Sequence, residues 1–256
     1  VYGCWLGKCI GGTIGGPSEG RKELFDYTFN SKSIEKMLPN DDLDLQVAWL
    51  ENIRRKGLPV NRRSLANSWL DNIHNWPDEY GVADRNLTQG LYPPLSGSYD
   101  NKFIAGMGAA IRSEIWACLA PGDPELAVAL AREDACVDHD EEGLYAALFL
   151  TALESMAFIS SDCEKLLDKA GQYIPEDCRV ARAIASTRIW WQDSGDWLEV
   201  RNKLIAKHAV QNWTDVAINL SFIVLGWLAG DGDYGQSICT AVNCGFDTDC
   251  TGATLG

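Results

Sequence analysis

Two long segments of the 256-residue chain are apolar on nearly every helical face. They are EEGLYAALFLTALESMAFI, residues 141–159, and TDVAINLSFIVLGWLAG, residues 214–230. A helix that is hydrophobic all round has to be buried among other elements. Convincing alternation with a period of two, typical of strands, is absent. The sequence therefore predicts one all-α domain over residues 1–256, with these two helices at its centre.

Other segments carry more specific helical signals. The stretch DDLDLQVAWLENIRRKG predicts a helix with Leu43, Val47, Leu50 and Ile53 on one apolar face, closed by Gly57.

Two further local patterns predict a helix start and a loop. Ser161 and Glu164 predict a capping box at the start of a later helix. Residues 74–104 are rich in turn-forming residues, and they predict a long loop of the kind that often has a function.

The composition limits the classes of binding partner that are expected for this chain. The net charge is −14, so the surface repels phosphate backbones, and nucleic acid is not expected as a partner. Most of the acidic side chains are expected to be ordinary solvated surface. The nine cysteines are odd in number and form no C-x-x-C pair, which argues against a disulfide framework or a structural zinc site. Free thiols indicate a reducing cytoplasm, and no apolar run is long enough to span a membrane.

The first candidate functional segment is GCWLGKCIGGTIGGPSEG, residues 3–20. Gly3, Gly7 and Gly11 recur every four residues and share one helical face, which predicts close approach of another backbone. Glycine in a helix costs about 1 kcal/mol relative to alanine, so such a stripe needs a packing reason. Glu19 follows on the loop that leaves this helix, as surface or as a group pointing into a site.

The second and third segments bring further oxygen ligands. Asn40, Asp41 and Asp42 stand at a predicted helix start, where they are either N-terminal caps or metal ligands. Asp247 and Asp249 stand in FDTDCTG, which by itself is also compatible with a turn and a helix cap. Taken together, these residues and Thr251 provide the oxygen donors that Mg²⁺ prefers, and two bound ions would compensate the clustered carboxylates.

These segments, in this order, resemble the motifs of the ADP-ribosylglycohydrolase family, from Gly3 to the end of the chain. The family opens with a pattern like G-x-x-x-G-x-x-x-G-D-x-x-G-x-x-x-E, continues with T-D-D and closes with G-G-D-T-D-T. The corresponding residues here are Gly3, Gly7, Gly11, Gly15 and Glu19, then residues 40–42, then residues 245–250. The segment GMGAAIR, residues 106–112, is similar to the family's G-N-G-x-x-M-R loop beside the substrate diphosphate.

The resemblance implies an all-α orthogonal helical bundle with two Mg²⁺ ions. It implies the following roles: metal ligands Asn40, Asp41, Asp42, Asp247, Asp249 and Thr251; catalytic residues Glu19, Asp41 and Asp42; substrate-binding residues Gly106, Gly108 and His139. For His139, a capping or surface position is the alternative. Asp249 is the expected bridge between the two ions. Family members continue beyond the last motif, so the chain is expected to be truncated at its C-terminus.

Several positions depart from the family pattern. Gly12 replaces an aspartate, Asn40 a threonine, Met107 an asparagine and Cys250 the final threonine. A thiol is a poor Mg²⁺ ligand, so one metal position could be weak or could hold another divalent ion, and Thr251 is a possible substitute ligand.

The implied activity is Mg²⁺-dependent hydrolysis of the ribosyl bond of an ADP-ribosylated protein or a related small molecule, with no nucleic-acid or membrane partner. Two alternatives remain open. The chain could hydrolyse another ribosyl or glycosyl substrate, or it could be a non-catalytic binding or structural descendant.

Overall fold

The computed structural model describes residues 1–30, 40–74 and 78–256, and in these ranges the regular structure is helical. The α-helices are α1 (Tyr2–Gly15), α2 (Asp41–Lys56), α3 (Arg62–Asn72), α4 (Glu79–Thr88), α5 (Leu95–Ser98), α6 (Glu114–Leu119), α7 (Pro124–Ala135), α8 (Glu141–Ala157), α9 (Cys163–Ala170), α10 (Arg179–Ser194), α11 (Trp197–His208), α12 (Val216–Gly230), α13 (Tyr234–Asn243) and α14 (Thr248–Leu255). Short 3₁₀ helices cover Gly16–Ser18, Ala110–Arg112 and Gly171–Tyr173. The all-α prediction is confirmed.

The chain divides into two compact units. The first unit comprises Val1–Leu43 and Asp177–Gly256, so it joins both ends of the chain. The second unit is continuous and comprises Asp44–Glu176. The interpretation of residues 1–256 as one domain stays a prediction.

The first unit is built around α12, one of the two apolar helices. Almost all of its residues are buried, and it packs against α10, α11 and α13. Its buried core includes Leu204 of α11, Phe222 of α12 and Phe246 of the loop before α14. The rings of Phe222 and Phe246 meet edge to face at 5.7 Å. The loop that carries Asp247 is thereby anchored in apolar packing.

Helices α1 and α14 pack with their backbones in contact. A Cβ atom added at Gly11 would lie 1.9 Å from Gly252 O, and one at Gly15 would lie 2.0 Å from Thr248 O. Gly7 is in the same situation near the end of α14. Side chains never tolerate such distances, so the glycines permit the approach. The close backbone approach predicted for the glycine stripe is confirmed at Gly7 and Gly11. At Gly3 it is wrong, because an added Cβ would have no neighbour within 4 Å there.

The second unit is built around α8, the other apolar helix. Residues such as Ala146, Phe149 and Leu150 are buried, and α6, α7 and α9 pack against the helix. Both apolar helices are thus central, each within its own unit.

The helix predicted from Leu43 to Gly57 is present as α2, but two of the four residues of its predicted apolar face are exposed. Val47 and Leu50 are 54% and 50% exposed, whereas Leu45 and Trp49 are buried. Gln46 is buried with them, because its amide donates to Ile111 O at 3.2 Å and to the Glu114 carboxylate at 2.8 Å. The buried face of α2 is therefore formed by Leu45, Trp49 and the hydrogen-bonded Gln46.

Two other expectations need correction. Residues 74–104 were predicted to form a loop, but they contain the helices α4 and α5. Residues 75–77 of this range lie outside the described residues. Tyr80, Ala83 and Leu87 form the buried face of α4. The cap of α9 is Asp162, which accepts a hydrogen bond from Lys165 N at 3.1 Å, so the predicted capping box is wrong by one residue.

No helix within the described ranges is long and apolar enough to cross a membrane.

Candidate metal centre

The loop after α1 is tied to the start of α14. Thr248 Oγ1 donates to Gly15 O at 2.8 Å and accepts from Ser18 Oγ at 3.2 Å. One residue beyond Glu19, Gly20 N donates to Phe246 O at 2.9 Å. These bonds join residues more than two hundred positions apart, and they hold Glu19 beside the first turn of α14.

The backbone before α14 is fixed from a third direction by Asn219 of α12. Its side-chain oxygen accepts from Asp247 N at 3.2 Å, and its amide donates to Trp213 O at 2.8 Å. Gly245 allows the turn here, since its φ of +78° favours glycine and an added Cβ would lie 2.5 Å from Glu23 O. Asn219 had no signal in the sequence beyond its place in an apolar helix.

These constraints bring three carboxylates together. Glu19, Asp247 and Asp249 each offer an oxygen, and the three oxygens lie within 4.8 Å of one another. Asp247 and Asp249 are 2% and 5% exposed, whereas Glu19 stands at the exposed edge. Among the described residues, Asp247 Oδ1 and Asp249 Oδ1 have no hydrogen-bond partner. Buried carboxylate oxygens without donors are costly, and a cation would compensate them.

A second group shares Asp249 with the first. Asp42, Asp249 and Cys250 place their ligand atoms within 4.8 Å of one another, and all three residues are buried. The Nζ atom of Lys8, itself only 2% exposed, lies 3.3 Å from Asp42 Oδ1. Sequence reasoning missed Lys8 altogether. The only indication in the sequence was a lysine within the glycine-rich predicted helix that became α1.

The electrostatics of this centre disfavour negative charge. Burial, followed by the charge of Asp249, raises the pKa of Asp247 well above its usual range. Burial and the charge of Asp42 do the same to the pKa of Asp249. The pKa of Asp42 is also raised by burial, although Lys8 opposes this. Burial and then Asp42 raise the pKa of Glu19. A bound cation would reverse these shifts, because it favours the ionised forms.

Two of the remaining predicted ligands, Asn40 and Thr251, have local hydrogen-bond partners. Asn40 Oδ1 accepts from Asp42 N at 2.8 Å, so Asn40 supports the start of α2 as a cap does. Thr251 Oγ1 donates to Thr248 O at 3.2 Å. Asp41 is half-buried, and its charge contributes to the raised pKa of Asp249. Metal ligation by Asn40, Asp41 and Thr251 stays a prediction.

The three predicted substrate-binding residues belong to the second unit. There, Gly108 N donates to Glu79 Oε1 at 3.1 Å, and Gly108 O accepts from Arg112 Nη1 at 2.6 Å. A Cβ at Gly106 or Gly108 would lie 2.8 or 2.6 Å from Glu79 Oε1. The loop at 106–112 is therefore held by buried charged side chains, and glycine is required for its approach to Glu79.

His139 lies inside this same charged cluster. Its Nδ1 is 3.1 Å from Asp138 Oδ1, and its Nε2 is 3.5 Å from Glu79 Oε1. Burial opposes the charged imidazole, but the two carboxylates outweigh it and raise the pKa of His139 to about 9. The side chain is fully buried, which excludes the alternative of a surface position. Substrate contact by Gly106, Gly108 and His139 stays a prediction.

Arg112 completes the cluster. It is fully buried, and it pairs with Asp134 at 3.0 Å and with Asp138 at 2.5 Å. Burial opposes its charge, but the two carboxylates raise its pKa well above the usual value. Each of these groups compensates another, as buried ionic groups require.

The fold and the site together define an all-α protein with an acidic centre assembled from both ends of the chain. The family model described as ADP-ribosylglycohydrolase matches residues 1–256. The chain belongs to the ADP-ribosylglycohydrolase family, and as a member it is a glycosyl hydrolase. The family acts on ADP-ribosyl substrates.

Structural comparison agrees on the fold. The solved structure of an ADP-ribosylglycohydrolase-related protein complex is similar to this chain with a TM-score of 0.70 and 20% sequence identity, over 99% of this chain and 83% of the other. At this identity the likeness establishes the fold. Comparison with curated proteins gives no significant match.

Proposed function

We propose that the chain is a Mg²⁺-dependent hydrolase that cleaves the ribosyl bond of an ADP-ribosylated protein or of a related small molecule. One observation carries this proposal. Glu19, Asp247 and Asp249 converge within 4.8 Å, and buried oxygens of the two aspartates have no partner in the described part of the chain. Three carboxylates with unsatisfied oxygens suit a hard cation that takes oxygen ligands.

The residues of the first group would hold the ion, with Asp249 as the ligand shared with the second group. When bound, Mg²⁺ would supply positive charge beside the ribose hydroxyls and lower the pKa of a coordinated water. The buried aspartates would keep that charge in place, because Asn219 and Phe246 fix the backbone on which Asp247 stands.

Proton transfer is assigned to the exposed side of the centre. Glu19 is at the exposed edge of the centre, where its carboxylate is accessible to a substrate and can act as an acid or a base. Asp41 is half-buried and can orient the attacking water, whereas Asp42 is fully buried beside Lys8 and would have a positioning role. In the hydrolysis, the glycosidic bond breaks, the hydroxyl of water joins the anomeric carbon, and its proton goes to the leaving group.

The substrate assay should compare ADP-ribosylated arginine and serine peptides with free nucleosides, each with and without Mg²⁺. Release of ADP-ribose that EDTA abolishes and Mg²⁺ restores supports the proposal. Turnover of nucleosides alone would favour another ribosyl substrate. Met107, at the family's asparagine position, is buried and has no amide to donate to a diphosphate, which makes this comparison informative.

The variant Asp249→Asn tests the metal centre directly. It removes the charge shared by both groups, and we expect it to lower turnover by at least about 100-fold and to abolish the thermal shift caused by Mg²⁺. Asp231→Asn is the matched control, because Asp231 is exposed and has a left-handed φ of +45° that asparagine also adopts. An Asp249→Asn protein with full activity and an unchanged Mg²⁺ response would overturn the assignment.

A further inference from the structure

A lysine stands inside the acidic centre. The ammonium of Lys8 and the carboxylate of Asp42 are 2% and 0% exposed, and they lie 3.3 Å apart. An ammonium at this depth is expensive to bury, so it is retained where it has a counter-charge. Lys8 is therefore a fixed positive charge next to one of the two groups of ligand atoms.

The backbone of α1 fixes the direction of Lys8. The glycines at 7 and 11, on either side of it, have no room for a Cβ against α14. Residue 12, one turn further along the same helical face, is a glycine whose added Cβ would lie 2.4 Å from Asn40 Nδ2. This face of α1 is directed at the start of α2, where it presents an ammonium at position 8 and no carboxylate at position 12.

The charges of the buried groups balance with a single divalent ion. The buried carboxylates of this centre are Asp42, Asp247 and Asp249, which contribute three negative charges when ionised. Glu19 is exposed and Asp41 is half-buried, so water solvates their charges and they are left out of the buried balance. Lys8 contributes one positive charge, and one divalent ion in the group of Glu19, Asp247 and Asp249 contributes two. A second divalent ion at Asp42 would stand beside the ammonium, and like charges repel strongly where water is excluded.

The ligand chemistry of the second group is consistent with this balance. Its third ligand atom is the sulfur of Cys250, whereas Mg²⁺ requires oxygen. The residues of the first group fit Mg²⁺, and those of the second group do not.

We propose that the Lys8 ammonium takes the place of a second metal ion, so that the centre works with one divalent cation and one fixed ammonium. This inference rests on the proposed function, since it assumes that the first group binds a metal. In the reaction, Lys8 would pair with the Asp42 carboxylate and orient it, while Glu19, Asp247 and Asp249 would hold the ion.

The number of bound ions tests this directly. Mn²⁺ is a paramagnetic substitute for Mg²⁺, and the free ion can be counted by electron paramagnetic resonance during a titration of the whole chain. We expect one Mn²⁺ per wild-type chain. Two ions of similar affinity would overturn the inference and leave the proposed function intact, whereas no bound ion at all would overturn the proposed function.

Variants identify what excludes the second ion. Cys250→Thr supplies an oxygen but keeps Lys8, so it should still bind one ion. The double variant Lys8→Met, Cys250→Thr should bind two ions, with the second bound at least about tenfold more tightly than any second ion in the wild type. Lys203→Met is the matched control, because it removes an exposed positive charge on α11, and it should leave the count at one.

The single variant Cys250→Thr decides between the ammonium and the thiol. If it already binds two ions, the thiol alone excluded the second metal, and the inference about Lys8 is wrong. Circular dichroism of each variant establishes that it folds. If the double variant does not fold, the counts for wild type and Cys250→Thr still decide the question.

Discussion

The substitution Gly11→Ala should destabilise the protein, although alanine is the better helix former. An added Cβ would lie 1.9 Å from Gly252 O and 2.3 Å from Gly252 C, so α1 and α14 would have to move apart by about 1 Å or more. Overpacking of this kind typically costs about 1–3 kcal/mol, or occasionally more. Alanine recovers up to about 1 kcal/mol of helix propensity. The clash is with backbone atoms that cannot rotate away, so the cost lies at the upper end of the overpacking range, and we expect a net loss of about 2 kcal/mol in the free energy of unfolding.

Gly3→Ala is the matched control on the same helix. Gly3 is exposed, and an added Cβ would meet nothing within 4 Å, so this substitution should be neutral or stabilise by up to about 1 kcal/mol. Urea titrations followed by circular dichroism measure both variants. Because α1 and α14 also carry Lys8 and Asp249, and Glu19 follows α1, Gly11→Ala should weaken Mn²⁺ binding as well. A Gly11→Ala protein as stable as Gly3→Ala would refute the reasoning that backbone contact requires glycine here.

Two further predictions concern the charged cluster of the second unit. Arg112→Met should lower the free energy of unfolding by about 3–5 kcal/mol in urea titrations, because it leaves two buried carboxylates without their shared cation. The exposed Arg132→Met is its control, and equal stability of the two variants would contradict the prediction. The pKa of His139 is raised from 6.5 to about 9 in the folded state, so its stabilising contribution is complete below pH 6.5 and is lost as the pH rises through 9. His139→Gln should flatten this loss of stability with pH, and an unchanged slope would exclude His139 as its source.

Local chemistry accounts for what could be predicted about the fold. The apolar segments that became α8 and α12 allowed only a buried helical position, and both are buried. The glycine stripe predicted a backbone contact, and Gly11 against Gly252 confirms it. On α2, where the prediction of the buried face failed, hydrogen-bond partners distant in sequence determine which residues are buried. Gln46 is buried because Ile111 and Glu114 accept its hydrogen bonds, which no pattern within α2 reveals.

The sequence by itself determined the residue types of the centre and the helices that carry them. Motif order indicated that Glu19, Asp42 and Asp249 belong to one site. In the structure, a carboxylate oxygen of Glu19 and one of Asp42 each lie within 4.8 Å of a carboxylate oxygen of Asp249. Only the tertiary structure decided that Lys8 Nζ lies 3.3 Å from Asp42 Oδ1, and that the sulfur of Cys250 lies within 4.8 Å of an Asp42 oxygen. The physical reason is that burial and electrostatic pairing depend on distances between chain ends, which packing of α1 against α14 sets and local sequence does not encode.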